Sequence, residues 1–331
     1  MKFKFSWSQD KRIVGLGPMD GITDSPFRIL NKRFGADFVF TEMISADGLV
    51  KKSKTIFEHL RFKKGERPII AQIFGKDPEV MAEAAEILEK RFKFDGIDIN
   101  CGCSTRKVLS SGHGGALLKD PKRLLSLLHI VRRKTSIPLS VKTRLGYSEP
   151  EEIVKLAPKI EKIGINALII HTRTVKQKFS GRASWNILNQ VKKQIKIPLI
   201  ASGDIFSKED LAKLFRDTKA DGAIVARGAL GNPWIFEGLD IIKENPKKYL
   251  QIAKTPEEIS LREKKEVILE HLNLMIDPPA GGYDEEKACK LFRKFFLWYL
   301  KGLVGAKQAK LKAAIIDNLE EAKIVLAQIK E

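Results

Sequence analysis

FDGIDINCGCSTRKVLSSGHGGALL, residues 94–118, decides how the rest of the chain is read. Gly96-Ile97-Asp98-Ile99-Asn100 is an apolar run with an acid and an amide two apart, the pattern of a buried strand whose polar residues emerge near its C-terminal end. Cys101, Gly102 and Cys103 follow, then Ser104, Thr105, Arg106 and Lys107, and a glycine-rich return through Gly112, Gly114 and Gly115. A thiol on a loop beside two cations is a candidate acid or nucleophile, because positive charge and partial exposure make cysteine reactive. Two other readings compete: a small buried residue, and a metal site with Cys101, Cys103 and His113 as donors. The paired spacing of zinc ligands is missing, so no metal is expected.

Outward from this stretch, seven more short apolar runs alternate with segments of helical period. The eight runs are Ile13 to Gly17, Asp37 to Phe40, Ile69 to Ile73, Gly96 to Asn100, Pro138 to Lys142, Ala167 to His171, Pro198 to Ser202 and Gly222 to Ala226. Helices are predicted at Pro78 to Arg91, Pro121 to Thr135, Glu151 to Ile163 and Lys208 to Asp217, each opening on a residue typical of helix N-termini. Strand and helix in alternation imply parallel strands with right-handed crossovers. Eight such units predict an α/β fold, a closed (β/α)8 barrel of the TIM type. A doubly wound open sheet is the alternative, and Pro18-Met19-Asp20 after the first strand lacks its G-x-G-x-x-G turn.

In such a barrel all strand ends lie on one face. That face would gather Gly17 to Asp20, Thr41 to Met43, Gln72, Asn100 to Cys103, Lys142 to Arg144, His171 to Arg173, Ser202 to Asp204 and Ala226 to Gly228. The last two clusters place small residues and backbone N–H groups after strands seven and eight, where barrels hold a phosphate.

The 331 residues are 43% hydrophobic and 31% charged, ordinary for a globular protein. No run reaches the roughly 18 apolar residues of a membrane helix, and MKFKFSWSQDKR lacks the apolar core of a signal peptide. A cytoplasmic protein is expected, and three cysteines in no framework fit a reducing compartment. The formal charge of +19 is a statement about partners, and nucleic acid is the polyanion favoured over membrane. Residues 1–238 carry +17 of it and residues 239–331 only +2.

After Phe236 the pattern changes to a three-helix appendage: apolar periodicity from Leu261 to Met275, a break at Pro278 to Gly282, then helices from about Asp284 to Leu303 and Gln308 to Ile329. The middle helix puts Lys287, Lys290, Lys294 and Lys301 on one face, either a solvated face or one that contacts phosphates. The division expected is residues 1–245, barrel, and 246–331, helical domain.

GPMDGITDSPFR at 17–28, AQIFG at 71–75, DINCGCSTRKV at 98–108, VKTRLGY at 141–147, HTRT at 171–174, SGDI at 202–205 and ARGALGNPWIF at 226–236 resemble the tRNA-dihydrouridine synthases. The resemblance is collinear over about residues 13–240, and the tail matches that family's tRNA-binding helical domain in position. It implies an FMN-dependent barrel that reduces the C5–C6 bond of a uridine in tRNA, with NADPH or NADH as reductant; separately, a monomer is expected. By motif match, Cys103 would be the proton donor. Gly17, Pro18, Met19, Gln72, Lys142, His171, Ser202, Gly203, Asp204, Ala226 and Arg227 would bind the cofactor. Asn100, Arg144, Arg173, Lys287, Lys290 and Lys294 would meet the substrate. Three departures stand out: Ser104 where the family has Pro, Ser202 where it has Asn, and Cys101 where Met is usual. The alternative function is an FMN barrel acting on a free pyrimidine of the dihydroorotate type, which leaves the charge and the tail without a purpose. A non-catalytic RNA-binding protein on a decayed barrel is the third reading, and the intact Gln72, Cys103, Lys142 and His171 speak against it.

Overall fold

The computed structural model of the chain describes residues 5–8, 10–252, 259–277, 282–303 and 305–329. Eight strands appear where eight apolar runs were predicted: β1 (Ile13–Leu16), β2 (Val39–Ser45), β3 (Ile69–Phe74), β4 (Gly96–Cys101), β5 (Leu139–Arg144), β6 (Ala167–His171), β7 (Leu199–Ser202) and β8 (Gly222–Val225). Each pairs in parallel with the next, and β8 returns to β1 with Ile13 opposite Gly222 and Leu16 opposite Val225. That last pairing closes the barrel and excludes the open doubly wound sheet.

β2 differs most from expectation. Its register shifts against β3 between Phe40 and Met43, and this irregularity carries the strand past Thr41 and Glu42, which read as a strand end. Asp37 lies outside the strand, its carboxylate accepting from Val14 N at 2.6 Å. The helix predicted at Pro78 to Arg91 stops at Ile87 and widens into a turn at Leu88–Phe92, ended by Lys93 at φ 57°. Several barrel helices begin on a side-chain cap. Asp24, Asp77 and Asp120 each accept from first-turn N–H groups ahead of a proline, and Ser207 with Asp210 forms a capping box.

The alternation of β-strand side chains divides the apolar residues into two cores. Inside the barrel, Ile13, Phe38, Phe40, Ile70, Ala167, Ile169, Ile200 and Ile224 fill the end where the strands start. Phe5 and Trp7 plug that end from outside, Trp7 meeting Phe38 edge-on at 5.1 Å. The second core lies between barrel and helices and runs without interruption into the tail. Chemistry is therefore confined to the opposite end.

Among the described residues the tail has four helices where three were predicted: Leu261–Ile276, Glu285–Tyr299, Lys307–Ala313 and Leu319–Ala327. The predicted last helix is split because Asn318 caps a new start by accepting from Glu321 N. Arg293 also draws the connection inward, bonding Ile316 O and pairing with Asp317. Residues 278–281 of the predicted break lie outside the described residues. The helices Asp240–Glu244 and Pro246–Ile252 pack on the barrel helix Lys208–Asp217, with Tyr249 Oη donating to Glu209 at 3.2 Å.

Candidate active site

The strand ends enclose a cavity of about 1060 Å³, open mouth included. Its lining brings together thirteen residues singled out from sequence: Pro18, Met19, Gln72, Asn100, Cys103, Lys142, Arg144, His171, Ser202, Gly203, Asp204, Ala226 and Arg227. Met43, from the strand end read at Thr41 to Met43, also lines it, as do Phe179 and Phe206, which carried no motif signal.

β4 and its neighbours build the floor. Asp98, Asn100, Gln72 and Ser140 all point into the barrel, where each polar atom needs a partner. Ser140 Oγ donates to Asp98 Oδ1 at 2.6 Å, and Gln72 Nε2 donates to Asp98 Oδ2 at 2.7 Å. Gln72 Oε1 accepts from Asn100 Nδ2 at 2.9 Å. Asn100 Oδ1 in turn accepts from Gly102 N at 3.1 Å and Cys103 N at 3.0 Å. Burial pushes the Asp98 carboxyl up to about 6, against the hydrogen bonds from Ser140 and Gln72 and the charge of Lys142.

The Cys103 loop is held from the other side as well. Arg144 Nε donates to Gly102 O at 2.9 Å, and Gly115 N donates to Cys103 O at 2.9 Å. These bonds supply the constraint that a proline at Ser104 would have given. Cys103 is half-buried, its Sγ 3.3 Å from Thr105 Oγ1. Cys101 and Cys289 are fully buried. Cys101 packs in the outer core, where burial drives its thiol upward, so the exchange for methionine is one of packing and the residue cannot serve a site with Cys103 and His113. Among the described residues no three His, Cys, Asp or Glu side chains group as a metal would require.

Three cations line the cavity, Lys142, Arg144 and Arg227, with Arg173 buried behind them. Burial lowers Lys142 to about 8 while Asp98 works to raise it, and burial with Arg173 lowers Arg144 to about 10. Burial, followed by Lys142, Arg144, Arg173 and Arg227, drives His171 down to about 2, so its ring is neutral. The Arg227 guanidinium lies over the exposed rings of Phe179 at 4.7 Å and Phe206 at 5.2 Å.

The geometry gives several of the expected contact residues partners within the chain. Arg173 is 2% exposed, and its guanidinium bonds Asp204, Ser180 O and Gly181 O, bracing the loop after β6. Arg144, 3% exposed, spends its Nη1 on Thr174 O and Lys178 O. Asn100 faces the cavity, but its oxygen is taken by the Cys103 loop. Gly17 lies behind the lining, where a Cβ would stand 2.3 Å from Ile224. The Asp204 carboxylate is turned to Arg173 and to Ala183 N, at 2.8 Å, so its part in an anion site is through its backbone and through Arg227 at 3.6 Å. Lys287, Lys290 and Lys294 lie outside the cavity on Glu285–Tyr299. Lys290 pairs with Glu286, Lys287 lies over the Tyr283 ring, and Lys294 bonds the carbonyl of Gly21 in the loop after β1.

Comparison with known proteins decides the family: the pattern described as Dihydrouridine synthase (Dus) matches residues 15–331. The chain belongs to the dihydrouridine synthase family. It is 36% identical over 325 residues to the probable tRNA-dihydrouridine synthase of Aquifex aeolicus, covering 96% of each chain. It is 37% identical over 302 residues to tRNA-dihydrouridine synthase B of Pasteurella multocida, covering 89% of this chain and 86% of that one. Among solved structures, the histamine dehydrogenase of Rhizobium sp. 4-9 aligns with TM-score 0.51 at 10% identity, over 96% of this chain and 63% of that one, a likeness of fold.

The cofactor of dihydrouridine synthases is a flavin, and the residues present fit one. His171 Nδ1 is buried without a hydrogen-bond partner, and Lys142 is held below its ordinary range by burial, so two polar groups face the cavity undercompensated. At the rim Gly203, at φ 113°, bares the backbone beside Arg227, a combination suited to a phosphate. Pro18 and Met19 offer an apolar wall for a ring.

Proposed function

We propose that this chain reduces the C5–C6 double bond of uridines in tRNA to 5,6-dihydrouridine, with FMN held in the barrel mouth and NADPH or NADH as the diffusible reductant. The observation that carries the reading is the convergence of Cys103, Gln72, Lys142 and His171 on one cavity in a chain of this family. Pro18, Met19, Gln72, Lys142 and His171 would meet the flavin ring, and Ser202, Gly203, Ala226 and Arg227 its phosphate arm. When bound, the flavin supplies the hydride for uracil C6.

The chain's own residues do the rest. Hydride addition at C6 leaves negative charge on C5 and O4, and C5 then takes a proton. Cys103 holds that proton, since it alone of the three thiols reaches the cavity. Lys142, charged below about pH 8, stabilises the oxygen charge across a water-poor site. Neutral His171 can donate through one ring nitrogen and accept through the other. The target base is stacked in folded tRNA, so it enters the cavity only after being turned outward.

Residues 259–329 would orient the tRNA, with Lys287, Lys290 and Lys294 on the helix that touches the mouth at Gly21. Charge and tail favour tRNA over a free pyrimidine. We propose a cytoplasmic monomer; among the described residues no helix is long and apolar enough to cross a membrane.

The test is direct. The purified protein is expected to be yellow, and Cys103→Ala should keep the flavin absorbance while losing dihydrouridine formation in single-turnover assays with unmodified tRNA. A colourless protein that takes up no added FMN, or a Cys103→Ala variant of unaltered rate, overturns the reading.

A further inference from the structure

The hydrogen bonds beneath the Cys103 loop run in one direction. A carboxylate accepts only, so Gln72 must present its amide nitrogen to Asp98. Gln72 then has only its oxygen to offer Asn100, whose nitrogen is drawn to it. That leaves Asn100 Oδ1 facing the backbone N–H groups of Gly102 and Cys103, which need an acceptor. Every link is 2.7 to 3.1 Å long, and Asp98, Gln72 and Asn100 are 0, 0 and 6% exposed, so water does not compete. Ser140 secures the root through the second carboxylate oxygen.

We infer that Asp98 is a positioning residue: as an acceptor-only group at the root of this amide chain, it fixes Asn100 under the loop and thereby sets where the Cys103 thiol stands. Asp98 lies two residues from Asn100 and five from Cys103, and it acts on the thiol only through Gln72 of the neighbouring strand. The inference rests on Cys103 as the proton donor for its functional meaning, but its structural content does not.

Alkylation of the flavin-free protein by iodoacetamide tests it. Cys101 and Cys289 are buried, so the modification rate of the folded chain reports on Cys103, with the site confirmed by peptide mass. Asp98→Leu removes the acceptor, and the rate is expected to rise about tenfold as the loop loosens. Asp98→Asn can still turn an oxygen to Gln72, and is expected to stay within about threefold of the unsubstituted protein. Gln72→Met cuts the next link and should match Asp98→Leu, and the double variant should be no faster than either alone. In the flavin-loaded enzyme, Asp98→Leu should lower kcat with KM for tRNA unchanged.

Equal alkylation rates throughout overturn the inference, as does strict additivity in the double variant. An Asp98→Asn rate as high as that of Asp98→Leu does the same, because charge and not acceptor direction would then be at work. Should Asp98→Leu not fold, Gln72→Met and Asp98→Asn carry the same expectations. A protein that makes no dihydrouridine would refute the proposed activity, while the alkylation series would still decide the role of Asp98.

Discussion

Lys142 and Arg28 show how burial changes what a cation does. Lys142 faces the cavity at about 8, its ordinary value of 10.5 lowered by burial, so its ammonium is lost as pH rises through about 8. If that charge stabilises the substrate oxygen, single-turnover reduction should be level below pH 8 and fall about tenfold per unit above it, and Lys142→Arg should remove the fall. A rate still climbing at pH 10 would take the lysine charge out of the mechanism. The sign for stability is opposite: between about 8 and 10.5 the unfolded chain holds the extra proton, so from this group alone stability rises with pH across that window. Arg28, 1% exposed, belongs to the same motif as Met19 but has an architectural task. Its Nε meets Glu66 at 2.6 Å and its Nη1 bonds Thr23 O at 2.6 Å, tying the loop after β1 to the segment before β3. Arg28→Met leaves Glu66 without its charge partner and should cost about 3–5 kcal/mol in urea denaturation.

At the scale of elements, the helix Glu285–Tyr299 matters most to function because it joins tail to mouth. Phe295 and His271 close on Phe27 of the first barrel helix, with ring centroids 5.4 and 5.6 Å from it. Gly231, at φ 65°, lets the loop after β8 pass against the helix end, where a Cβ would stand 2.5 Å from the Trp298 carbonyl carbon. Gly231→Ala should therefore destabilise the protein by roughly 1–3 kcal/mol through forced separation of the two surfaces, with more from the left-handed backbone. A calorimetric Tm equal to that of the unsubstituted chain would contradict so tight a junction. In tRNA binding the same variant should lose more affinity than in flavin binding, because the tail moves and the cavity does not.

For the whole molecule, the net charge of +19 sets the long-range behaviour. Binding that neutralises several phosphates weakens steeply with salt, and six contacts imply a loss of roughly a thousandfold between 50 and 200 mM. A filter-binding series across that range checks this, and a flat profile would remove tRNA as the partner. The continuous apolar cluster shared by barrel and tail makes the two parts unfold together, so one cooperative transition is expected for the intact chain.

Alternation of apolar runs and helical periods determined the barrel, because the two periodicities are local properties that survive without knowledge of contacts. The resemblance to a known family, carried by its motifs, pointed to Cys103, Gln72, Lys142 and His171. Alternation alone left Cys101 and Cys103 equal and the family motif favoured Cys103; only the tertiary structure shows one thiol turned into the mouth and the other into the outer core. The same holds for Arg173, whose partner Asp204 is 31 residues distant, and for Asp98, whose partner Gln72 is 26 residues distant. The cap that splits the last helix and the register shift in β2 were also beyond reach, since each depends on what a neighbouring element offers a few backbone groups. Local pattern specifies which face a side chain takes. Only the folded arrangement settles which partners wait there, because hydrogen bonds and burial are properties of pairs that the chain brings together from far apart.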